Sequence, residues 1–243
     1  MGTGMKQAKS LGKWFMAKGT QFNVIYSSDL QRAVTTAEAI LEDHSDPRPP
    51  FIQSLNLREQ NFGQGEGQPY KQTRDPKLTA EEHYARGLFP HIRSRTERFP
   101  GGESKDDLAR RAEGVVDEII VPCVLEAAKE KRMNYHVAIV SHGLFIKELI
   151  LVLLKRNPRG GGIPEEGYRG LRNTGWSRVV VGIEPEVLSS TKISKPLPLL
   201  VRITQINRHD HLDSVVRQKG GIGSIAHDAK QKDIRGFFAS RKA

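Results

Sequence analysis

Cysteine is almost absent: Cys123 is the only one in 243 residues. That excludes an internal disulfide and fits a reducing compartment, cytoplasmic or nuclear. Long apolar runs are missing too. The greasiest stretch, after Phe145, is broken by Lys147 and Glu148, so no membrane-spanning helix and no membrane partner is expected. The first residues lack the apolar core of a secretory signal. No Cys/His cluster has zinc spacing, and no metal site or cofactor is expected. Gly63, Gly65 and Gly67 follow a GxGxG pattern without the GxxG step that opens a dinucleotide-binding helix. The late "GGIGS" lacks the lysine and flanking strand of a phosphate loop, and no GxSxG elbow occurs. Internal repeats are not seen.

What the chain does have is positive charge. Thirty-eight Lys and Arg against 28 Asp and Glu give a formal charge of +10, which points to an anionic partner such as a phosphorylated molecule or nucleic acid. A hydrophobic content of 37% is enough for a core. Met5, Ala8, Leu11, Trp14 and Phe15 recur at helical spacing. "FNVIYSS" reads as a buried strand, and "SSDLQRAVTTAEAILED" as a helix capped by Ser28 or Asp29. "PFIQSLNLRE" is a second extended piece before the Gly-rich loop "QNFGQGEGQPY". A polar segment, 79–98, follows. Ser104 then caps a long helix that Pro122 should kink or end. "VAIVS", "GLFIKELILVLLK", "WSRVVVGI" and "VRITQI" complete an alternation of strands and helices. The expected fold is α/β and three-layered, with a mostly parallel sheet covered by helices on both faces. One domain is expected over 1–207, with a basic, flexible tail over 208–243.

In open α/β sheets ligands bind beyond the carboxyl ends of the strands. Three such ends carry polar groups: Arg32 one turn into the helix after Ser27-Ser28, Glu59 before the Gly-rich loop, and His142 after "AIVS". Helix N-termini after Ser27 and His142 would add backbone N–H donors for an oxyanion. Each residue alone has an ordinary structural reading, as a solvated charge or a satisfied histidine. From spacing alone the reading stops at an anion-binding α/β domain.

The motifs S-S-D-L-x-R-A-x-x-T-A, L-R-E-x-x-F-G-x-x-E-G, "FPGGES" and "AIVSHG" occur in the order and spacing of the histidine phosphatase superfamily, phosphoglycerate mutase-like branch. The sequence resembles that family over about 4–183. The resemblance implies that Arg32 grips phosphoryl oxygens, Glu59 protonates the leaving oxygen, His142 stabilises the transferring group, and Asn173 in "RNTGW" closes the pocket. It also implies metal-free phosphoryl transfer through phosphohistidine, with phosphatase preferred to mutase, on a phosphorylated small molecule or phosphoprotein. The family's nucleophile sits in an N-terminal Arg-His-Gly strand. No Arg-His-Gly occurs here, so the chain as given is expected to be truncated or a pseudoenzyme, and inactive. Loss of that strand is expected to leave "NVIYSS" and "AIVSH" without a neighbour. About four missing apolar side chains would remove on the order of 6–12 kcal/mol.

The end of the chain offers a second function. Gln231, Ile234, Phe237 and Phe238 fit Q-x-x-I-x-x-F-F, which resembles the motif that docks proteins on the DNA sliding clamp. A short turn would set Ile234 and both rings on one side as an apolar plug. Direct nucleic-acid binding is not expected, because no basic groove interleaved with aromatics supports it.

Overall fold

The first two helices show how the pattern becomes packing. The computed structural model describes residues 2–69, 73–160, 170–185, 188, 196–213 and 215. Helix α1 spans Thr3–Ala17, and its buried residues Ala8, Leu11, Gly12 and Phe15 form one stripe. Helix α2, Gln31–Glu42, answers with Ala33, Val34, Ala37, Ala39 and Ile40. Small residues let the two backbones approach: a Cβ added at Gly12 would lie 2.2 Å from the Ala39 carbonyl oxygen. Gly12→Ala is therefore expected to cost about 1–3 kcal/mol of stability through overpacking. Urea unfolding measures this, and an unchanged midpoint would contradict the close approach.

Strand β1 (Val24–Ser28) lies at the centre of a parallel three-stranded sheet, between β2 (Phe51–Ser54) and β3 (Val137–Val140). Alternate side chains leave opposite faces. Ile25 and Ala138 join Leu11, Phe15, Ala37 and Ile40 on one side. On the other, Tyr26 and Ile139 meet a core built by Leu108, Ala112, Val115, Phe145 and Leu149. That second core comes from α4 (Lys105–Val115) and α6 (Gly143–Lys155). Helices thus cover both faces, giving the expected three layers. Strands β4 (Trp176–Gly182) and β5 (Leu200–Arg208) form a separate antiparallel pair. Their Val179, Val181 and Val201 pack into the α4–α6 core.

Four local expectations need correction. The strand read as lacking a neighbour, β1, is paired on both edges; β3 pairs with β1 alone among the described residues. Helix α2 starts at Gln31 behind Leu30, because the Ser28 hydroxyl accepts the Leu30 N–H at 3.2 Å and Asp29 turns to Arg58. Pro122 does not end its helix. The backbone widens into a π-turn over Val116–Ile120, and Pro122 falls in the first turn of α5 (Val121–Lys129), where an absent N–H costs least. Regular structure also continues past 207. Strand β5 runs to Arg208, and a 3₁₀ turn, Asp210–Leu212, holds the buried His211, whose carbonyl accepts a hydrogen bond from Ser10. By contrast Ser104 caps α4 as read: its hydroxyl accepts the Asp107 N–H at 3.1 Å, while Asp107 accepts the Ser104 N–H at 2.9 Å.

The polar segment 79–98 holds one short helix, α3 (Ala80–Ala85), with a Thr79–Glu82 capping box. It is tied to the body by Arg95, which donates to Glu148 of α6 at 3.1 and 2.7 Å and to Asp106 of α4 at 2.8 Å. Gln231, Ile234, Phe237 and Phe238 lie outside the described residues.

Candidate functional site

His142 owes its place to the end of β3. Val140 is the last strand residue, and the chain stays extended at His142 (φ −122°, ψ 162°) before α6 begins at Gly143. The Ser141 hydroxyl donates to the Leu57 carbonyl at 2.6 Å and ties this turn to the segment that carries Glu59. The imidazole itself is 8% exposed. Arg32, on the first turn of α2, donates from Nε to His142 Nδ1 at 3.0 Å. Because a guanidinium can only donate, Nδ1 must accept, and the ring proton sits on Nε2. Nε2 faces the hydroxyl of the fully buried Ser28 at 3.0 Å.

The ring is therefore held neutral. Burial lowers its pKa most, the Arg32 and Arg111 charges lower it further, and Asp29 opposes them weakly; the result is about 4 against an ordinary 6.5. As pH falls, the unfolded chain takes up this proton near 6.5 and the folded one only near 4. Stability present above the upper value is lost progressively towards the lower and then levels off. Allowing for solvent screening, this residue accounts for about 2 kcal/mol of that loss. Unfolding free energy measured against pH should show it, and His142→Gln should flatten that part of the curve. A wild-type curve already level across this window would contradict the assignment.

Glu59 reaches the same turn from the other side. Its Oε2 accepts the Leu144 N–H at 3.2 Å, and Oε1 accepts the N–H groups of Phe145 at 3.1 Å and Gln60 at 3.0 Å. The first amides of α6 have no partners within the helix, and His142 offers no side-chain cap. A carboxylate from a distant loop supplies it, favoured by the helix dipole. Two of the donors expected for an oxyanion at this helix end, the Leu144 and Phe145 amides, are thus already engaged by Glu59. The side chains nearest this turn that could meet a ligand are the exposed Arg32 and the His142 ring.

Asn173 has no hydrogen bond to Arg32, His142 or Glu59 among the described residues; it is placed against α1. Its amide donates to Gln7 of α1. The structure joins Arg32 directly to His142 and brings Glu59 to the Leu144 and Phe145 amides that follow His142. Two contributors escaped the sequence reading. Ser28 was read as a helix cap and instead faces His142 Nε2. Arg111, on α4, reaches the backbone carbonyl of Glu59 at 3.2 Å. Its only sequence signal is a basic residue two turns beyond the Ser104 cap, too common a pattern to single out.

A concavity of about 420 Å³ lies between α1 and α2, lined by Met5, Lys9, Thr35, Glu38, Leu41 and Arg48 among others. It contains none of Arg32, Glu59 and His142. No His, Cys, Asp and Glu cluster able to hold a metal ion occurs among the described residues. Nor is any helix of the described residues long and apolar enough to cross a membrane.

Comparison with known proteins agrees with this fold. The sequence model of the histidine phosphatase superfamily, branch 1, matches residues 2–182. A 2,3-bisphosphoglycerate-dependent phosphoglycerate mutase of Bradyrhizobium sp. is 33% identical over 158 residues, covering 65% of this chain and 70% of that protein. One from Methylorubrum populi is 30% identical over 150 residues, covering 62% of this chain and 65% of the relative. The match thus spans roughly two thirds of the curated relatives' length. In three dimensions the chain resembles mycobacterial hydrolase 2, with TM-score 0.60 and 23% identity over 85% of this chain and 78% of the other. It also resembles a mycobacterial glucosyl-3-phosphoglycerate phosphatase in complex with inorganic phosphate, with TM-score 0.56 and 21% identity over 85% and 86%.

Proposed function

This chain belongs to the histidine phosphatase superfamily, and from that premise we propose that Arg32, His142 and Glu59 form a phosphomonoester site. The observation that carries the reading is the Arg32–His142 hydrogen bond, which spends the Nε of an exposed arginine on a buried imidazole and leaves its two terminal nitrogens for a ligand. Phosphoryl oxygens suit those nitrogens, because an arginine fork pairs two oxygens at once. The His142 Nε2–H would donate to a third oxygen in place of Ser28. Glu59, once protonated, would supply the proton to the leaving oxygen. Hydrolysis is preferred to mutase chemistry, since water is a ready acceptor and a mutase needs a further subsite for its acceptor acid. The substrate class is a phosphorylated small molecule or phosphoprotein.

Turnover by phosphohistidine requires a second imidazole in line with the phosphoryl group. The sequence contains no Arg-His-Gly. His44, His83, His136, His209 and His211 are hydrogen bonded elsewhere. The chain as given is expected to bind phosphate and orthovanadate without hydrolysing p-nitrophenyl phosphate, since loss of a covalent nucleophile costs about 10⁶ in rate. Calorimetric titration with both anions, alongside the hydrolysis assay, tests this. Absence of saturable binding would defeat the site reading; turnover would defeat the non-catalytic one.

Sliding-clamp docking through Gln231, Ile234, Phe237 and Phe238 is a separate proposal, supported by the motif's position in a basic terminal segment. Pull-down with the clamp should be lost in Phe237→Ala/Phe238→Ala. Equal recovery of both proteins would end the idea.

A further inference from the structure

Arg111 uses every donor it has. Its Nε donates to Glu103 Oε1 at 2.9 Å, and Nη2 donates to Glu103 Oε2 at 2.8 Å and the Glu59 carbonyl at 3.2 Å. Nη1 donates to the carbonyls of Asn56 at 2.9 Å and Arg58 at 2.8 Å. A guanidinium carries five N–H groups, so none remains for a ligand. The same group lies over the Phe145 ring, 5.0 Å from its centroid, and Phe145 is a residue whose N–H holds the Glu59 carboxylate. Arg111 therefore grips both halves of the contact: the backbone that carries Glu59 and the helix end that receives its side chain.

We propose that Arg111 is a positioning residue, which locks the segment 55–59 against the start of α6 and so holds the Glu59 carboxyl group on the Leu144 and Phe145 amides. The proposal deepens the phosphomonoester reading and rests on it for its use. Several features point this way rather than to a ligand-binding role. The side chain is 16% exposed, and three of its five bonds go to carbonyls within four residues of chain. Glu103 braces the fork. Burial alone would raise its pKa, but hydrogen bonds from Arg111 and the Asn61 N–H outweigh it and leave the carboxyl below its usual range. The pair stays charged at neutral pH. Lysine could not take over, because three donors on one nitrogen cannot span carbonyls and a carboxylate together.

A double-mutant cycle read on the backbone amide NMR signals of Leu144 and Phe145 tests this. In the wild-type background Glu59→Gln should shift both signals, since it replaces a charged acceptor with a neutral one. In an Arg111→Lys background Glu59 is no longer held, and the same substitution should shift them by less than about one third as much. Equal shifts in the two backgrounds would overturn the proposal. Arg95→Lys, which loosens a different ion pair reaching α6, is the control. If it weakens the Glu59 coupling as much as Arg111→Lys does, Arg111 has no specific role. Phosphate affinity in Arg111→Lys should fall by no more than about threefold, because no ligand donor is lost. A fall beyond about tenfold would make Arg111 a direct ligand and sink the positioning role. Should Arg111→Lys fail to fold, Glu103→Gln loosens the fork while keeping the arginine, and should also reduce the coupling; full coupling there counts against the proposal. A wild-type protein that binds no phosphate would refute the site reading alone, since the amide cycle needs no ligand.

Discussion

Arg32→Ala should weaken phosphate binding by about 10- to 150-fold, the equivalent of 1.5–3 kcal/mol for losing a charge-assisted hydrogen bond. The size follows from how the site is built. The Leu144 and Phe145 amides at the start of α6 are taken by Glu59, so those two donors cannot compensate. His142 is neutral, with a pKa near 4, and brings a dipole rather than a full charge. Arg32 is thus left as the principal positive group facing an anion. Removing it also leaves His142 Nδ1 without its donor, and the ring becomes free to turn. Arg32→Lys should recover only part of the affinity, because an ammonium cannot hold the imidazole and a phosphate edge at the same time. Titration of the three proteins with phosphate at constant ionic strength decides the point. A loss below twofold in Arg32→Ala would remove the basis for placing an anion here.

The largest effect on stability is expected at Arg95. Its partner Glu148 has a side chain only 5% exposed, on the buried face of α6. Arg95→Ala would strand that carboxylate in the interior, at a cost of about 3–5 kcal/mol. Asp106 would lose its partner too, but it is 43% exposed and water can replace the contact. For a chain of this size the loss corresponds to a melting temperature lower by roughly 6–20 °C. The diagnostic is the double variant. Arg95→Ala/Glu148→Leu, with no charge left to bury, should regain most of the stability. Calorimetry on the two variants separates the cases: an Arg95→Ala protein within 1 °C of wild type, or a double variant no better than the single, would contradict the buried-pair account. The pair also explains an oddity of the sequence. Glu148 interrupts the most apolar helix of the chain, and its complement lies 53 residues earlier in the polar segment 79–98.

Much of the layout was legible before any coordinates. The short apolar runs in 24–26 and 137–140 became buried strands whose side chains divide between two cores, because a period of two sends neighbours to opposite faces. The stripe Ala8, Leu11, Phe15 became the buried side of α1. Ser104 capped its helix as read, since that motif is closed within four residues. Where the reading failed, a competing contact had won. Ser28 and Asp29 did not cap α2 because Leu30 and Arg58 claimed them. Pro122 did not end its helix because, after a π-turn, it falls in the first turn of α5, where an absent N–H costs least.

The sequence by itself determined which segments are strands and helices, and which polar residues stand at strand ends. Those features are written in local periods and short caps. Tertiary structure alone decided that Nδ1 of His142 accepts, that Glu59 caps α6 instead of leaving its amides open, and that Arg111 has no donor to spare. These outcomes depend on hydrogen bonds between residues 110, 86 and 52 positions apart. Such pairings arise only when separate elements close on one another, and burial then makes each donor find an acceptor.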